Sequence, residues 1–577
     1  MARQVIIQVE VDGKPFAPDN DFLRFSLTQQ LGGHHSFELI LPYDRAEDSK
    51  SAFFTRTLDQ LLGKPVTISV TEYEPYYGKD ASQPLQFKGV VTGLSTSKNT
   101  DYSATITVLG SGLCRQLDDG LQKRTFVKQT LATIFQQVLA PYSENMLPRR
   151  IKPAHTAPLP YVVQYQESNY AFLSRLAAEY GEWFYYDGQV LCLGLPTGGK
   201  MFDFVADGIY NTFHFNLTLQ PTQSTLYDYN YEQHERYTSN TSPQQVPALS
   251  QQRYNRLAFE RAEKLFAQAS YTAPGMEIRG DRQLTEEAKF LKASRVANLV
   301  MLQGQSDRTA LLLGRGLNVQ GEGLGTENLT DENFGTYRIT RLTHHVNAAG
   351  KYSNTFTAIP YLLEVPPAFP AASVNGTPEL AEVIDKKDPQ QLGRVRVRYY
   401  WQVVRPQDAE TDWLRVLTPY AGAGKGQLFT PEVGSQVLIG YAGGLAEQPY
   451  VQGNLFHARN KAGATYTHNG GDIKGIQTLA GNRITLHDKK DEEKIVITNG
   501  NQKETAIEIS FKGKGRIEIK TSGDLSLSAG QNISIEAGKS LTIKAEELTT
   551  ETAQATEIKA STKLTVAGSR GISVLGN

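Results

Sequence analysis

The sequence predicts a mainly β protein in three stretches: a β-rich N-terminal part with a few helices, a small all-β barrel, and a C-terminal β-helix wound from three chains. Three observations carry this expectation. Short alternating apolar and polar runs recur through the first 360 residues. The last 128 residues, beyond Pro449, contain no proline, as a chain committed to ladder pairing requires, because proline cannot donate a backbone hydrogen bond. Apolar i, i+2 pairs then recur every eight residues from Ile509 to Val574.

Bulk composition narrows the function classes. A chain of 577 residues has room for roughly four domains, and 40% hydrophobic with 21% charged residues excludes global disorder. Lys plus Arg (59) nearly cancels Asp plus Glu (60), which argues against a chain-wide nucleic-acid or anionic-membrane binder. The two cysteines, Cys114 and Cys192, sit beside apolar residues and form no CxxC pair, so buried thiols are expected, not a disulfide framework or a zinc site. MARQVIIQVEVDG alternates like an opening strand and lacks the apolar core of a signal peptide. No run approaches the ~18 apolar residues that span a bilayer. The expectation is synthesis in the cytoplasm, without stable membrane insertion, and exit by a route other than general secretion.

In order along the chain, 64–70, 103–110 and 337–346 read as half-buried strands. After Lys128, Leu131, Ile134, Phe135, Val138 and Leu139 fall on one helical face, stopped by Pro141. Ser168 is placed to cap a second helix whose apolar face is Phe172, Leu173, Leu176, Ala177 and Tyr180, closed by Gly181. Residues 364–378 contain four prolines and no period, the mark of a boundary. Short strands with glycine turns from Gly393 to about His457 suit a small barrel. The expected division is therefore 1–365, a linker at 366–380, a small barrel at 381–460 and a needle at 461–577.

The octads specify the needle. Inward pairs are Ile509/Phe511, Ile517/Ile519, Leu525/Leu527, Ile533/Ile535 and Leu541/Ile543; the residues between them are polar and turn-forming segments separate them. After Ile543 the register slips by one, then continues as Leu548/Thr550, Thr556/Ile558, Leu564/Val566 and Ile572/Val574. One octad makes a strand and a turn, one side of a closed cross-section. Either one chain winds with about 24 residues per coil, or three chains contribute one side each. A lone chain would manage barely three coils and end in open edges, whereas three chains pair every strand laterally, so a homotrimer is favoured. The polar outward positions give the shaft no affinity for lipid.

YVVQYQESNYAFLSRLAAEYGEWFYYDG (161–188), YRITRLTHHVNAAGKYSNTFTAIP (337–360), GRVRVRYYW (393–401), the 412–444 and 449–456 strands, and GNRITLHDKKDEEKI (481–495) follow one another in this order. Together they resemble the VgrG spike family of type VI secretion and related hub-plus-needle proteins of phage-like contractile injection systems. The resemblance implies a phage-tail-hub-like domain of two barrel modules, a small OB-type barrel used as a collar, and a β-helical needle. It implies as partners a hexameric inner-tube protein at the hub, baseplate proteins, a PAAR-repeat tip protein on Ile572, Val574 and Leu575, and effectors carried by non-covalent or tip binding. Location follows: assembly in a baseplate and delivery outside the cell or into a target cell on contraction. No lysozyme-like insertion separates barrel from needle, and no effector domain follows the octads, so intrinsic toxicity is not expected.

Catalytic readings are weaker than structural ones. His34–His35 and His344–His345 are adjacent pairs, poor chelates on a strand, and HExxH is absent. Ser111 in LGSGL is read as a turn, and GAGKGQ (422–427) lacks phosphate-loop spacing. The run containing Asp488, Asp491, Glu492 and Glu493 reads as a solvated hairpin tip, and Trp401 and Trp413 as packing residues. No catalytic, cofactor or metal residue is assigned. Two other classes stay open at this point: a spike-borne cell-wall hydrolase and a trimeric receptor-binding fibre or adhesin.

Overall fold

The computed structural model describes all residues except 1–2, 17–19, 47–54, 74–83, 99–103, 197–198, 277, 323–330, 368–373, 461–462, 464–465, 468–469 and 576–577. It divides into two compact units, residues 1–457 and 458–577.

Alternation of apolar and polar residues builds thirteen strands of the first unit into one sheet. Val5–Val11 illustrates the rule: Val5, Ile7, Val9 and Val11 are buried and the residues between them are not. In spatial order the sheet begins with Thr212–Leu217, Val300–Ser306, Tyr352–Pro360 and Asp331–Asn347. It continues through Arg24–Gln30, Ser36–Pro42, Ala104–Gly112, Leu85–Lys98, Pro65–Glu72, Val5–Val11 and Lys14–Phe16. Two barrel-like modules were expected. The hub's two largest hydrophobic cores are separate, yet Asp331–Asn347 pairs antiparallel with Arg24–Gln30 and joins their strands into one sheet.

The helices lie where their apolar faces require. In Leu131–Leu139 all five predicted face residues are buried, and the Thr130 hydroxyl caps the helix by accepting from the Thr133 N–H. In Asn169–Glu179 the Ser168 hydroxyl accepts from the Ala171 N–H at 3.1 Å, and Gly181 follows with φ of 66°. Ser111 differs from expectation: it belongs to the strand Ala104–Gly112, and its hydroxyl donates to the His35 carbonyl at 2.9 Å. The glycines around it supply a turn-like composition, but the ladder to Ser36–Pro42 overrides it.

The small barrel is a four-stranded sheet ordered Arg396–Tyr399, Glu379–Asp385, Gln436–Tyr441 and Pro449–Asn454. Single bridges Val395–Leu414 and Val416–Val451 bring a further segment onto its core of Val383, Val395, Val397, Leu414, Val437, Ile439 and Val451. Its first strand starts at Glu379, within the stretch read as linker, because Leu380 and Glu382 pair with Leu438 and Gln436.

The second unit opens with an antiparallel meander of Ile473–Gln477, Asn482–His487, Lys494–Asn499, Gln502–Ser510 and Arg516–Lys520. The octads Ile509/Phe511 and Ile517/Ile519 therefore lie in or beside a hairpin of one chain, with Ile509 opposite Ile517, instead of standing as isolated β-helix layers. The KGKG turn is long enough to reverse the chain, and the in-register isoleucines reward the pairing. From Thr521 to Ala567 the chain makes no backbone ladder with itself.

Candidate functional site: the junction of hub and small barrel, and the needle face

Two regions stand apart from ordinary core packing. The first joins the hub domain to the small barrel within the first unit. The hub side is the two-stranded sheet of Gln122–Thr130 and Pro158–Glu167 with the helix Asn169–Glu179. That helix and the second of those strands lie in the segment that carries the family resemblance. Its polar residues converge here.

Arg175 projects from the helix into the junction with its side chain only 6% exposed. Its Nε and Nη2 donate to the two carboxylate oxygens of Glu167 at 2.8 and 2.9 Å, a bidentate fork. Nη1 donates to Glu179 at 2.9 Å and to Glu447 of the small barrel at 3.0 Å, and Nη2 also donates to the Val163 carbonyl at 2.8 Å. One guanidinium thus ties a strand, a helix and a barrel loop together. Burial, reinforced by the Glu179 charge, raises the Glu447 carboxyl above its ordinary range, and burial raises Glu179 likewise.

A second bridge lies nearby. Lys123 pairs with Glu379 of the first barrel strand. The Tyr165 hydroxyl donates to the same carboxylate at 2.7 Å and accepts from the Thr377 N–H at 3.3 Å. Burial alone would raise Glu379, but the hydrogen bonds from Lys123 and Tyr165 help to overcome it and hold the carboxyl low. Trp401 stacks on Tyr399 with centroids 4.1 Å apart and meets Tyr165 edge-on, so it serves the packing of the junction. The Thr125 hydroxyl donates to the Glu410 carbonyl at 2.6 Å. Farther round, Arg394 forks onto Asp388 and pairs with Glu232 of the hub, while Arg415 lies 4.7 Å over the Tyr231 ring.

The second region is one face of the meander. Register places Ile476, Ile484, Ile497, Ile507 and Ile519 in one cross-strand row. Leu486, Ile495, Ile509 and Ile517 form a second row beside it. Residues directly opposite in a ladder share a face, so these nine form one apolar surface. Within the single chain the most exposed members, from Ile507 to Ile517, leave 39 to 70% of their surface open. The octad residues Phe511, Ile517, Ile519, Leu525, Leu527, Ile533, Ile535, Leu541, Ile543, Leu548, Ile558, Leu564, Val566 and Ile572 are 55 to 71% exposed. Val574 and Leu575, assigned to tip contact, reach 89 and 95%.

The residues considered for chemistry occupy structural settings. His34 stacks on Tyr170 at 3.9 Å and contacts Asp118 at 2.8 Å. His35 and His344 are fully buried, each pushed down to about 3 by desolvation, and His344 Nδ1 lies 2.7 Å from the Tyr352 hydroxyl. Burial pushes Cys114 up to about 12 and Cys192 up to about 11, so neither is a ready thiolate. Asp488 and Glu492 pair with Lys474 and Lys489 at a hairpin tip. Ala421–Gly422 and Lys425–Gly426 form a short exposed hairpin. Among the described residues no group of three His, Cys, Asp or Glu side chains could hold a metal ion. No described helix is long and apolar enough to cross a membrane.

Sequence reasoning missed Arg175 and its carboxylates, and also the row residues Ile476, Ile484, Leu486, Ile495, Ile497 and Ile507. Arg175 does leave a trace, a charged residue within the turn of apolar Phe172, Leu173 and Leu176. The rows leave a plainer one, the alternation of ITL and IVI in adjacent segments.

Comparison with known proteins agrees with this arrangement of parts. The phage tail baseplate hub (GPD) family matches residues 54–350, just over half of the chain. The type VI secretion system/phage-baseplate injector OB domain matches residues 379–456. The type VI secretion system spike protein VgrG5 of Pseudomonas aeruginosa is 25% identical over 459 residues, covering 71% of this chain and 55% of the relative. VgrG4b of the same organism is 24% identical over 542 residues, covering 86% and 62%. The chain thus spans less than two thirds of the length of these two relatives. A chain of the Francisella PdpA-VgrG complex, half-lidded, superposes with a TM-score of 0.57 at 7% identity over 90% of this chain and 88% of that one, a likeness of fold. With hub and small barrel each matched in sequence and followed by octads, this chain belongs to the phage tail baseplate hub family, with the layout of a VgrG-type spike.

Proposed function

We propose that the chain is one protomer of a homotrimeric, non-catalytic spike that joins the inner tube of a contractile injection system to a tip protein and punctures the target envelope. The observation that carries the proposal is the apolar face of the meander followed by octads without ladder partners in their own chain. Each half-exposed isoleucine forgoes about 1 kcal/mol while it faces water, and a chain of unpaired N–H and C=O groups is an open template. Two further copies would cover the face and complete each layer. In this reading residues 1–365 receive the hexameric tube protein and baseplate, 381–460 form the collar, and Ile572, Val574 and Leu575 seat a PAAR-repeat tip. Effectors ride as partners bound non-covalently or at the tip.

Light scattering on the purified chain tests the assembly: a trimer that persists in detergent is expected, and a monomer at micromolar concentration would sink the proposal. Truncation near residue 480 distinguishes the roles. Loss of tip-protein capture supports the spike, whereas loss of host-cell attachment with tip capture intact points to an adhesin.

A further inference from the structure

The Arg175 cluster contains more carboxylates than its cation can balance. Glu167, Glu179 and Glu447 all bond to Arg175, and among the described residues no other cation pairs with any of the three. One oxygen of Glu179, Oε2, is buried without a hydrogen-bond partner. An ionised carboxylate oxygen so placed has lost its hydration and gained no donor, which is costly. A bound proton relieves both the excess negative charge and the orphaned acceptor.

We propose that the junction between hub and small barrel is a proton-dependent latch: a proton held among Glu179, Glu447 and the neighbouring Glu287 keeps it closed, and losing that proton loosens it. The proposal rests on the intrachain geometry and does not depend on the injection role.

The surrounding groups leave the proton no competitor. Strand Pro158–Glu167 contributes Glu167, bound to Arg175, and Tyr161, whose hydroxyl is held above its ordinary value by burial and stays neutral. The helix end contributes Tyr180, likewise held neutral by burial. The helix Asp281–Val296 contributes Glu286 and Glu287, and burial, then Glu179 and Glu286, push Glu287 up to about 8. His155, whose ring centroid lies 4.9 Å from that of Tyr180, is lowered by burial.

The sign follows from linkage. These carboxyls have folded values above their ordinary ones, so the closed junction binds protons that the opened junction releases. Closure is therefore strongest below the ordinary carboxylate range and weakens as pH rises toward about 8. Where one proton is released, the opening constant rises about tenfold per pH unit.

Hydrogen exchange on the full chain at pH 6 and pH 8, corrected for intrinsic rates, reads the opening at Pro158–Glu167 and at Leu445–Gln448. Protection in both segments is expected to fall by about tenfold per proton released and per pH unit. Glu447→Gln and Glu179→Gln should each keep much of the pH 6 protection at pH 8. An infrared titration of the same samples should show a protonated-carboxyl band that disappears over this window and shrinks in both variants. Glu287→Gln, which removes no bond to Arg175, provides a further folded variant if the other two fail to fold. Equal protection at both pH values, or a pH dependence unchanged in every folded variant, would overturn the latch, as would absence of the band.

Discussion

At Arg175 a single side chain decides whether the hub and small barrel cohere. Its three carboxylate partners come from a strand, a helix and the barrel. Removing the guanidinium leaves uncompensated buried charge, so Arg175→Met should destabilise the first unit by about 3–5 kcal/mol in urea unfolding. Arg175→Lys should recover little, since an ammonium cannot reproduce the fork onto Glu167. Asp388 is the opposite case. Burial would raise it, but Arg394 and the backbone N–H groups of Gln390, Arg394 and Leu392 hold it down at about 2. A depressed folded value gives stability that is present above the ordinary carboxylate range and lost as pH falls toward about 2. An acid-unfolding profile should thus be flatter in Asp388→Asn. The Arg175 site left only a trace in the sequence, because Glu447 comes from a segment far along the chain, and Asp388 left none, because its state depends on which backbone groups its loop turns inward.

Helices and strands were more legible. Ser168 immediately precedes the helix whose apolar face begins at Phe172, and the structure gives it the capping bond that position implies. Ser168→Ala should cost about 1 kcal/mol in thermal unfolding. The meander was only partly legible. Its alternation showed strands, but antiparallel pairing of Ile509 with Ile517 within one chain is decided by register, which the eight-residue period alone does not specify. Ile497 sits mid-row between Ile484 and Ile507. If that face is covered by other copies, Ile497→Asp should shift light scattering from trimer toward monomer while leaving the circular dichroism of the hub unchanged.

For the whole molecule the division at residue 457 implies that residues 1–457 carry their own cores. A fragment ending there should unfold cooperatively at nearly the temperature of the corresponding transition in the full chain, and should lose the detergent-resistant trimer. Differential scanning calorimetry with light scattering checks both. A fragment that aggregates or melts much earlier would mean that the needle stabilises the hub.

Local periodicity, set by backbone geometry, was enough to determine the β class, the two capped helices and the octad repeat with its slip after Ile543. The family resemblance also lay in contiguous segments, now matched over 54–350 and 379–456. Only the tertiary structure decided that Asp331–Asn347 joins the two hub cores in one sheet, that Arg175 gathers three carboxylates, and that nine aliphatic side chains align on one face. Those outcomes depend on which distant segments meet and in what register, and the free energy that selects among them comes from burial and charge pairing between residues far apart in sequence.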